Sequence, residues 1–321
     1  MTRRQTWAVA ACLTAMHLAA FRADWLAPYG YADQHREFPY APPTPIHWAG
    51  IRPFVYGLAP EDDGYRVDAT RRYPVQFLSR GRLFGAAEPG VIFLLGTDGD
   101  GRDVFSRVLY GARVSLAAGL LAALLSLGIG CMLGTVAGFF GGWVDQLLMR
   151  GSELFMALPW LYLLLAVRAF LPLHIGSLQA FFLVVAIIGG VGWVRPARLI
   201  RGVVLSQRER PFVLAARGFG AGPAYLIRRH ILPFTWGITL TQATVLIPQY
   251  ILAEVTLSFL GLGVAEPVPS WGNMLSEARQ YHVLTGHPWL LAPGIAAVPA
   301  LLGYLLLAEA LSSRKFKNMT N

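Results

Sequence analysis

The sequence predicts an all-α polytopic membrane protein, with six transmembrane helices and one hydrophilic insertion between helices 1 and 2. Three observations carry that reading. Hydrophobic residues make up 55% of the 321 and charged residues only 14%, whereas soluble domains devote about a quarter of their residues to charge. Apolar runs recur near the length of about 20 residues that crosses a hydrocarbon core of about 30 Å. The arginines collect at the boundaries of those runs.

The first transmembrane helix lies within 1–23, and its apolar run, 7–21, is the shortest. The segment MTRRQTWAVAACLTAMHLAAF also has the basic start and apolar core of a cleaved signal peptide, but it reaches Phe21 and Arg22 without a small-x-small site. Either reading leaves the later spans oriented alike. Cys12 and Cys131 both fall inside spans, so no disulfide framework or metal cluster follows from them.

Residues 24–112 form the one sizeable hydrophilic stretch. Its opening, with FPYAPPTPIHW and IRPFVY, is rich in proline and aromatic residues that favour extended and turn conformations. A small extracytoplasmic unit of strands and turns is expected. It closes in LGTDGDGRDVFSRVLYGARVSL, where Gly and Asp turn chemistry passes into a helical pattern that Asp100 or Asp103 is placed to cap. Asp98, Asp100 and Asp103 superficially resemble calcium ligands. They lack the spacing and terminal Glu of an EF-hand, which assigns them to turns and caps.

Residues 113–311 hold five further helices. The second span, 114–144, has no charged side chain and is dominated by Ala, Gly and Leu; small residues let helices approach closely, and Gly134 and Gly138 have small-xxx-small spacing. It belongs inside the bundle. The third and fourth spans are 154–173 and 178–194. The fifth, 231–253, carries Thr235, Thr239, Gln242 and Gln249 within about a quarter of the helix circumference. Facing lipid, such a stripe would leave amides unpaired at about a few kcal/mol each, so it either lines an aqueous path or bonds a neighbouring helix. Pro248 marks a site for a bend. Glu254, near the outer end, is either a functional acid or a hydrated helix terminus. The sixth span is 288–308, followed by a tail at 312–321.

Charge gives the orientation. Residues 195–229 hold eight arginines against one acid, Glu209; Arg3 and Arg4 lie at the start, and Arg314, Lys315 and Lys317 near the end. The positive-inside rule puts all three regions in the cytoplasm, as six spans require. The net charge of +9 therefore follows membrane boundaries and not a nucleic-acid-binding face.

The loop at 201–234 contains RERPFVLAARGFGAGPAYLIRRHILP. Its first part has the composition of a short helix, 220–223 breaks it, and a second helix starts at Ala224 until Pro233 interrupts it. Ala215, Ala216 and Gly218 leave one surface small. Phe212, Phe219, Leu226 and Ile227 are apolar anchors, surrounded by Arg217, Arg228 and Arg229. That surface suits helix-in-groove docking to a soluble protein; the alternative is an amphipathic linker on anionic lipid. His174 and His230 read as interfacial residues.

This stretch resembles the EAA loop of binding-protein-dependent ABC importers, specifically C-type permease subunits of the dipeptide, oligopeptide and nickel group. LGTDGDGRDVFSRVLYGARVSL, GGWVDQLLMRGSELFMALP, GWVRPARLIRG and AEVTLSFLGLGVAEPVPSWGNML agree with that family in order and placement, so the resemblance covers most of the chain from Leu95 onward. It implies a five-helix permease core whose cytoplasmic loop docks into a cleft on an ATPase subunit. The coupling residues it implies are Phe212, Leu214, Ala215, Ala216, Arg217, Gly220 and Ala221. Leu214 stands where the family usually has glutamate, removing a polar contact. The segment before Leu95 is longer than in many members.

The resemblance implies a non-catalytic permease subunit of an ATP-driven importer for peptides or a related small solute, in the bacterial cytoplasmic membrane with both termini cytoplasmic. Its partners would be a homologous second permease, two cytoplasmic P-loop ATPase subunits, an extracytoplasmic substrate-binding protein and the bilayer, with no nucleic acid. No cofactor is expected in this chain. A P-loop needs Gly-Lys-Ser/Thr, and the only lysines are Lys315 and Lys317, so ATP would be bound by the partners. Thr239, Gln242, Gln249 and Glu254 are the candidates for the translocation path. A stand-alone ion-coupled carrier or channel is the alternative; it would place charged groups deep in its spans and leave the docking loop unused. A membrane-embedded enzyme would need a nucleophile and base or a metal constellation, and the seven histidines show no spacing such as H-E-x-x-H.

Overall fold

The computed structural model describes residues 3–61, 64–79, 81–170 and 175–317. It is mostly helical. The chain opens with α1 (Arg3–Phe21) and the short α2 (Ala23–Leu26), then builds an antiparallel meander of β1 (His47–Ala49), β2 (Arg52–Glu61), β3 (Gly64–Ser79) and β4 (Arg82–Ala86). The strands and turns expected in this stretch are therefore present, with a register shift between Tyr56 and Gly57. The meander is held to the rest at several points, among them Arg82 Nη1 donating to Ala27 O at 3.5 Å and Tyr65 Oη donating to Pro39 O at 2.7 Å, and its two ends are closed together. Thr44 N donates to Phe93 O at 2.7 Å, and Phe93 N donates to Thr44 Oγ1 at 3.1 Å.

The helical part is organised on α3 (Val104–Phe140). Asp103 caps it, accepting from Ser106 N at 2.8 Å and Ser106 Oγ at 2.6 Å, which satisfies an otherwise orphaned first-turn donor. At 37 residues the helix is about 55 Å long and outruns the hydrocarbon core. It begins ten residues before the expected second span and stops at Gly141, where φ is +66, so Val144 belongs to α4 (Gly142–Ala157). The small residues of α3 are contact surfaces. A methyl on Gly134 would collide with the Ala197 carbonyl, and one on Gly138 would press on Val204 and the Arg201 carbonyl, both on α7 (Val194–Arg208). Gly119 receives Ile251 of α10 (Leu232–Phe259) in the same way. Leu116, Ala118, Ala122, Ile188, Ile251 and Trp271 meet in the resulting core.

Two expected spans are altered by breaks. The third bends by 93° between α4 and α5 (Trp160–Ala169), and the fourth by 42° between α6 (Ser177–Gly192) and α7. Leu158 is extended and Pro159 follows at the N-cap of α5; a residue before proline is driven out of the α region. The fifth continues past Ala253 to Phe259 with Pro248 inside the helix, so that proline does not end it. The sixth begins as a 3-10 turn, Pro288–Leu291, and continues as α13 (Ala292–Lys317), so the start of the expected tail is helical. Among the described residues three helices are long and apolar enough to cross a membrane, or up to five if each bent pair is one span. The remaining expected span, α1, falls outside that count; Arg3, Arg4, Gln5 and His17 dilute its apolar run. It packs on α13, where Tyr304 Oη lies 3.1 Å from His17 Nε2. Cys131 is half-buried on α3 and Cys12 exposed on α1, both as free thiols. His174 lies outside the described residues.

Between α10 and α13 the chain folds tightly against the start of α3. Ser270 and Asn273 form a reciprocal capping box that starts α11 (Trp271–Leu275). Trp271 is 1% exposed; its N donates to Ser115 Oγ and its Nε1 to Val108 O, both at 3.1 Å. Nearby, Arg102 reaches Asp98 and Glu266 at 2.7 Å each, and Arg107 reaches Glu266 at 2.7 Å. The expected turn and cap roles of Asp98 and Asp103 are both seen. The short α12 (Tyr281–Gly286) follows.

Candidate functional site

Two regions carry the residues singled out in the sequence. The first is the helical elbow after α7. Pro211 occupies the first turn of α8 (Pro211–Gly218), where its missing N–H costs nothing. Val213 is fully buried with Phe139, Ile200, Val204, Leu226 and Ile231, and together with Ala216 it fastens α8 to α3 and α7. The opposite face is open. Phe212 and Leu214 are 43% and 46% exposed, Ala215 is exposed and Phe219 projects at 93%, whereas the exposed Arg217 turns its guanidinium to the inner side, over the Phe139 ring at 5.7 Å. Ala216 and Ala221 are half-buried on the inner side.

The end of α8 is a Schellman turn. Ala221 N donates to Ala216 O and Gly220 N to Arg217 O, each at 3.0 Å, which pairs carbonyls that the helix end would leave unmet. Gly220 has φ +86, a conformation a Cβ opposes. Beyond it, α9 (Pro223–Tyr225) runs into a π turn, Leu226–Ile231, where Leu232 N donates to Ile227 O. Pro233 explains the widening, because its ring crowds the carbonyl four residues back and it has no N–H to donate. His230 is half-buried beside the rings of Phe212 and Tyr225. The sequence therefore locates α8 and the turn, but Pro233 does not interrupt the second helix: Pro223–Phe259 is one continuous helix of 37 residues that passes through the π turn into the fifth span.

The second region is a cavity of about 490 Å³. Phe155, Met156, Leu158 and Trp160 come from the bend between α4 and α5; Gly192, Val194 and Arg195 from the bend between α6 and α7; Leu246, Gln249 and Tyr250 from α10. Its wall is held firmly. The Tyr250 hydroxyl donates to Gly192 O at 3.2 Å and shares a hydrogen bond with Ser126 Oγ at 2.9 Å, and its ring stacks on Trp160 at 5.8 Å.

Of the four path candidates, Gln249 alone borders this cavity. Thr239 turns its hydroxyl back to Thr235 O at 2.9 Å, and Gln242 is half-buried elsewhere on α10. Thr235 is buried and bonds Leu232 O at 2.8 Å. Glu254 is completely buried; Ser258 Oγ donates to its Oε1 at 2.7 Å, while Oε2 has no partner among the described residues. It is enclosed by protein and does not line the cavity. Arg195, Trp160 and Tyr250 were missed in the sequence, although Pro159 and the glycines before Trp193 signalled the two breaks that bring them together.

Comparison with known proteins adds four findings. The family model described as binding-protein-dependent transport system inner membrane component matches residues 130–317. A protein of Brucella suis biovar 1 named as a peptide permease is 42% identical across 67% of this chain and 70% of its own length. The dipeptide transport system permease protein DppC of Bacillus subtilis is 40% identical across 63% of this chain and 61% of its own. Among solved structures, the MetNI methionine ABC transporter in inward-facing conformations covers 64% of this chain and 97% of its own, at 17% identity and a TM-score of 0.46.

Proposed function

Because this chain belongs to the family of binding-protein-dependent transport system inner membrane components, we propose that it forms half of the translocation path of an ATP-driven importer for short peptides or a related small solute. It is a multi-pass membrane permease. The other half is a homologous permease, two P-loop ATPases bind the ATP, and a separate binding protein delivers solute from outside. The elbow at α8 and both termini face the cytoplasm.

The single observation that carries this reading is the geometry of α8. Val213 holds the helix to α3 and α7 while Phe212, Leu214 and Phe219 stand exposed on the other side. An apolar helical face mounted on a buried peg suits insertion into a groove of a soluble partner, and its attachment passes motion of that partner to the spans. Leu214 makes the contact apolar where the family usually has an acid. The test is reconstitution with the partner permease, the ATPases and the binding protein in proteoliposomes. A labelled dipeptide is expected to accumulate only with ATP and with both ATPases present; uptake by this chain and its permease partner without ATPases would overturn the proposal.

A further inference from the structure

The cavity between the two bends has an unusual wall. The extended break at Leu158 and Pro159, the 42° bend at Trp193 and the residue after Pro248 converge on one space. Its volume of about 490 Å³ lies within the range of about 300–1,000 Å³ of small-molecule sites. Most of the lining is aliphatic or aromatic. The polar exceptions are Arg195, Gln249 and the Tyr250 hydroxyl, and the last is already occupied by Gly192 and Ser126.

Arg195 is the one charged side chain on this wall. Among the described residues no carboxylate forms an ion pair with it, whereas Arg201, on the same helix, is paired with Asp145. An ionisable group in a span is a functional candidate, substrate pathways being one of its roles, and a guanidinium matches a carboxylate through two parallel hydrogen bonds. Resting on the import reading above, we propose that Arg195 and Gln249 form a subsite for a carboxylate of the transported solute, with Trp160, Phe155 and Leu246 receiving its apolar body. The solute class is a small carboxylate-bearing molecule such as a short peptide held by its C-terminus.

The test uses the complete complex in nanodiscs, without nucleotide or binding protein, and measures equilibrium binding of labelled trialanine and of trialanine amide. Arg195→Gln is expected to weaken trialanine binding by about tenfold, the scale of one lost charge-assisted contact, and to leave the weaker binding of the amide unchanged. Arg195→Lys, which keeps the charge and tests that loss is not misfolding, is expected to retain most of the preference for the acid. Absence of trialanine binding to the wild-type complex, or equal weakening of acid and amide in Arg195→Gln, overturns the subsite. Uptake of trialanine by the same wild-type complex with its binding protein is scored separately, so failure of the subsite is distinguishable from failure of the import reading.

Discussion

Arg201 on α7 and Asp145 on α4 form a two-pronged ion pair: Nη2 donates to Oδ2 at 2.5 Å and Nε donates to Oδ1. Their side chains are 30% and 16% exposed, so the pair is partly shielded from water. It fixes α7 just before that helix delivers the chain to α8. Parallel N–H···O contacts of this kind are stronger than single surface pairs.

Removing one prong should therefore loosen the mounting of α8. Asp145→Asn is expected to cost about 1–2 kcal/mol and to lower solute-stimulated ATPase activity in the reconstituted complex. Thermal unfolding and ATPase rate, measured on the same preparation, check both. An unchanged rate with a lowered melting temperature would separate the pair from coupling.

The elbow itself offers a sharper comparison. Gly220→Ala places a Cβ at φ +86 with open space around it, so the cost is conformational, about 1–2 kcal/mol, and the Schellman turn is expected to fray. Leu214→Glu alters only an exposed position and should leave the fold intact while changing ATPase retention. Pull-down of the ATPases is the readout. Retention at wild-type yield by both variants would argue against docking through α8.

Much of that elbow was legible because its signals are local. Pro211 opens a helix, Gly220 closes it, and the apolar residues between them are close in sequence. Asp103 was legible as a cap for the same reason. The burial of Glu254 was not, since it depends on how α10 packs against α3 and the start of α11. Nor were the breaks at Leu158 and Trp193 reflected in a count of apolar residues, which is blind to direction. Arg195 was read as one of eight boundary arginines; its place on a cavity wall appears only when two bent helices are brought together. The stripe of Thr235, Thr239, Gln242 and Gln249 shares an angular sector as calculated, yet neighbouring helices cover part of it.

The stripe can be divided experimentally. Gln249→Ala is expected to reduce labelled dipeptide uptake several-fold, because that residue borders the cavity. Thr239→Ala, whose hydroxyl only back-bonds within α10, should leave uptake within about twofold of wild type, in keeping with the small net value of such a hydrogen bond. Initial rates in proteoliposomes check the difference.

Stability should also depend on pH through Glu277. Burial, reinforced by repulsion from Asp98, pushes its carboxyl from 4.5 to about 7, against the opposing pull of Arg102 and Arg107. The folded value lies above the unfolded one, so its contribution is full below pH 4.5 and is lost as pH rises to about 7. Glu277→Gln is expected to raise stability at pH 8 by about 1–2 kcal/mol and to flatten the decline. Asp103, which burial also pushes to about 7, preserves some slope. Melting temperatures at pH 4.5, 6 and 8 test this.

The mutual bonds of Thr44 and Phe93 bring the ends of the stranded lobe together, so everything from 45 to 92 enters and leaves through one gate. A change of length inside the lobe therefore need not move those two ends apart. The size of the lobe is thereby uncoupled from the spacing of its two ends, while the contacts of Arg82 with Ala27 and of Phe84 with Phe105 fix how β4 lies on the helices.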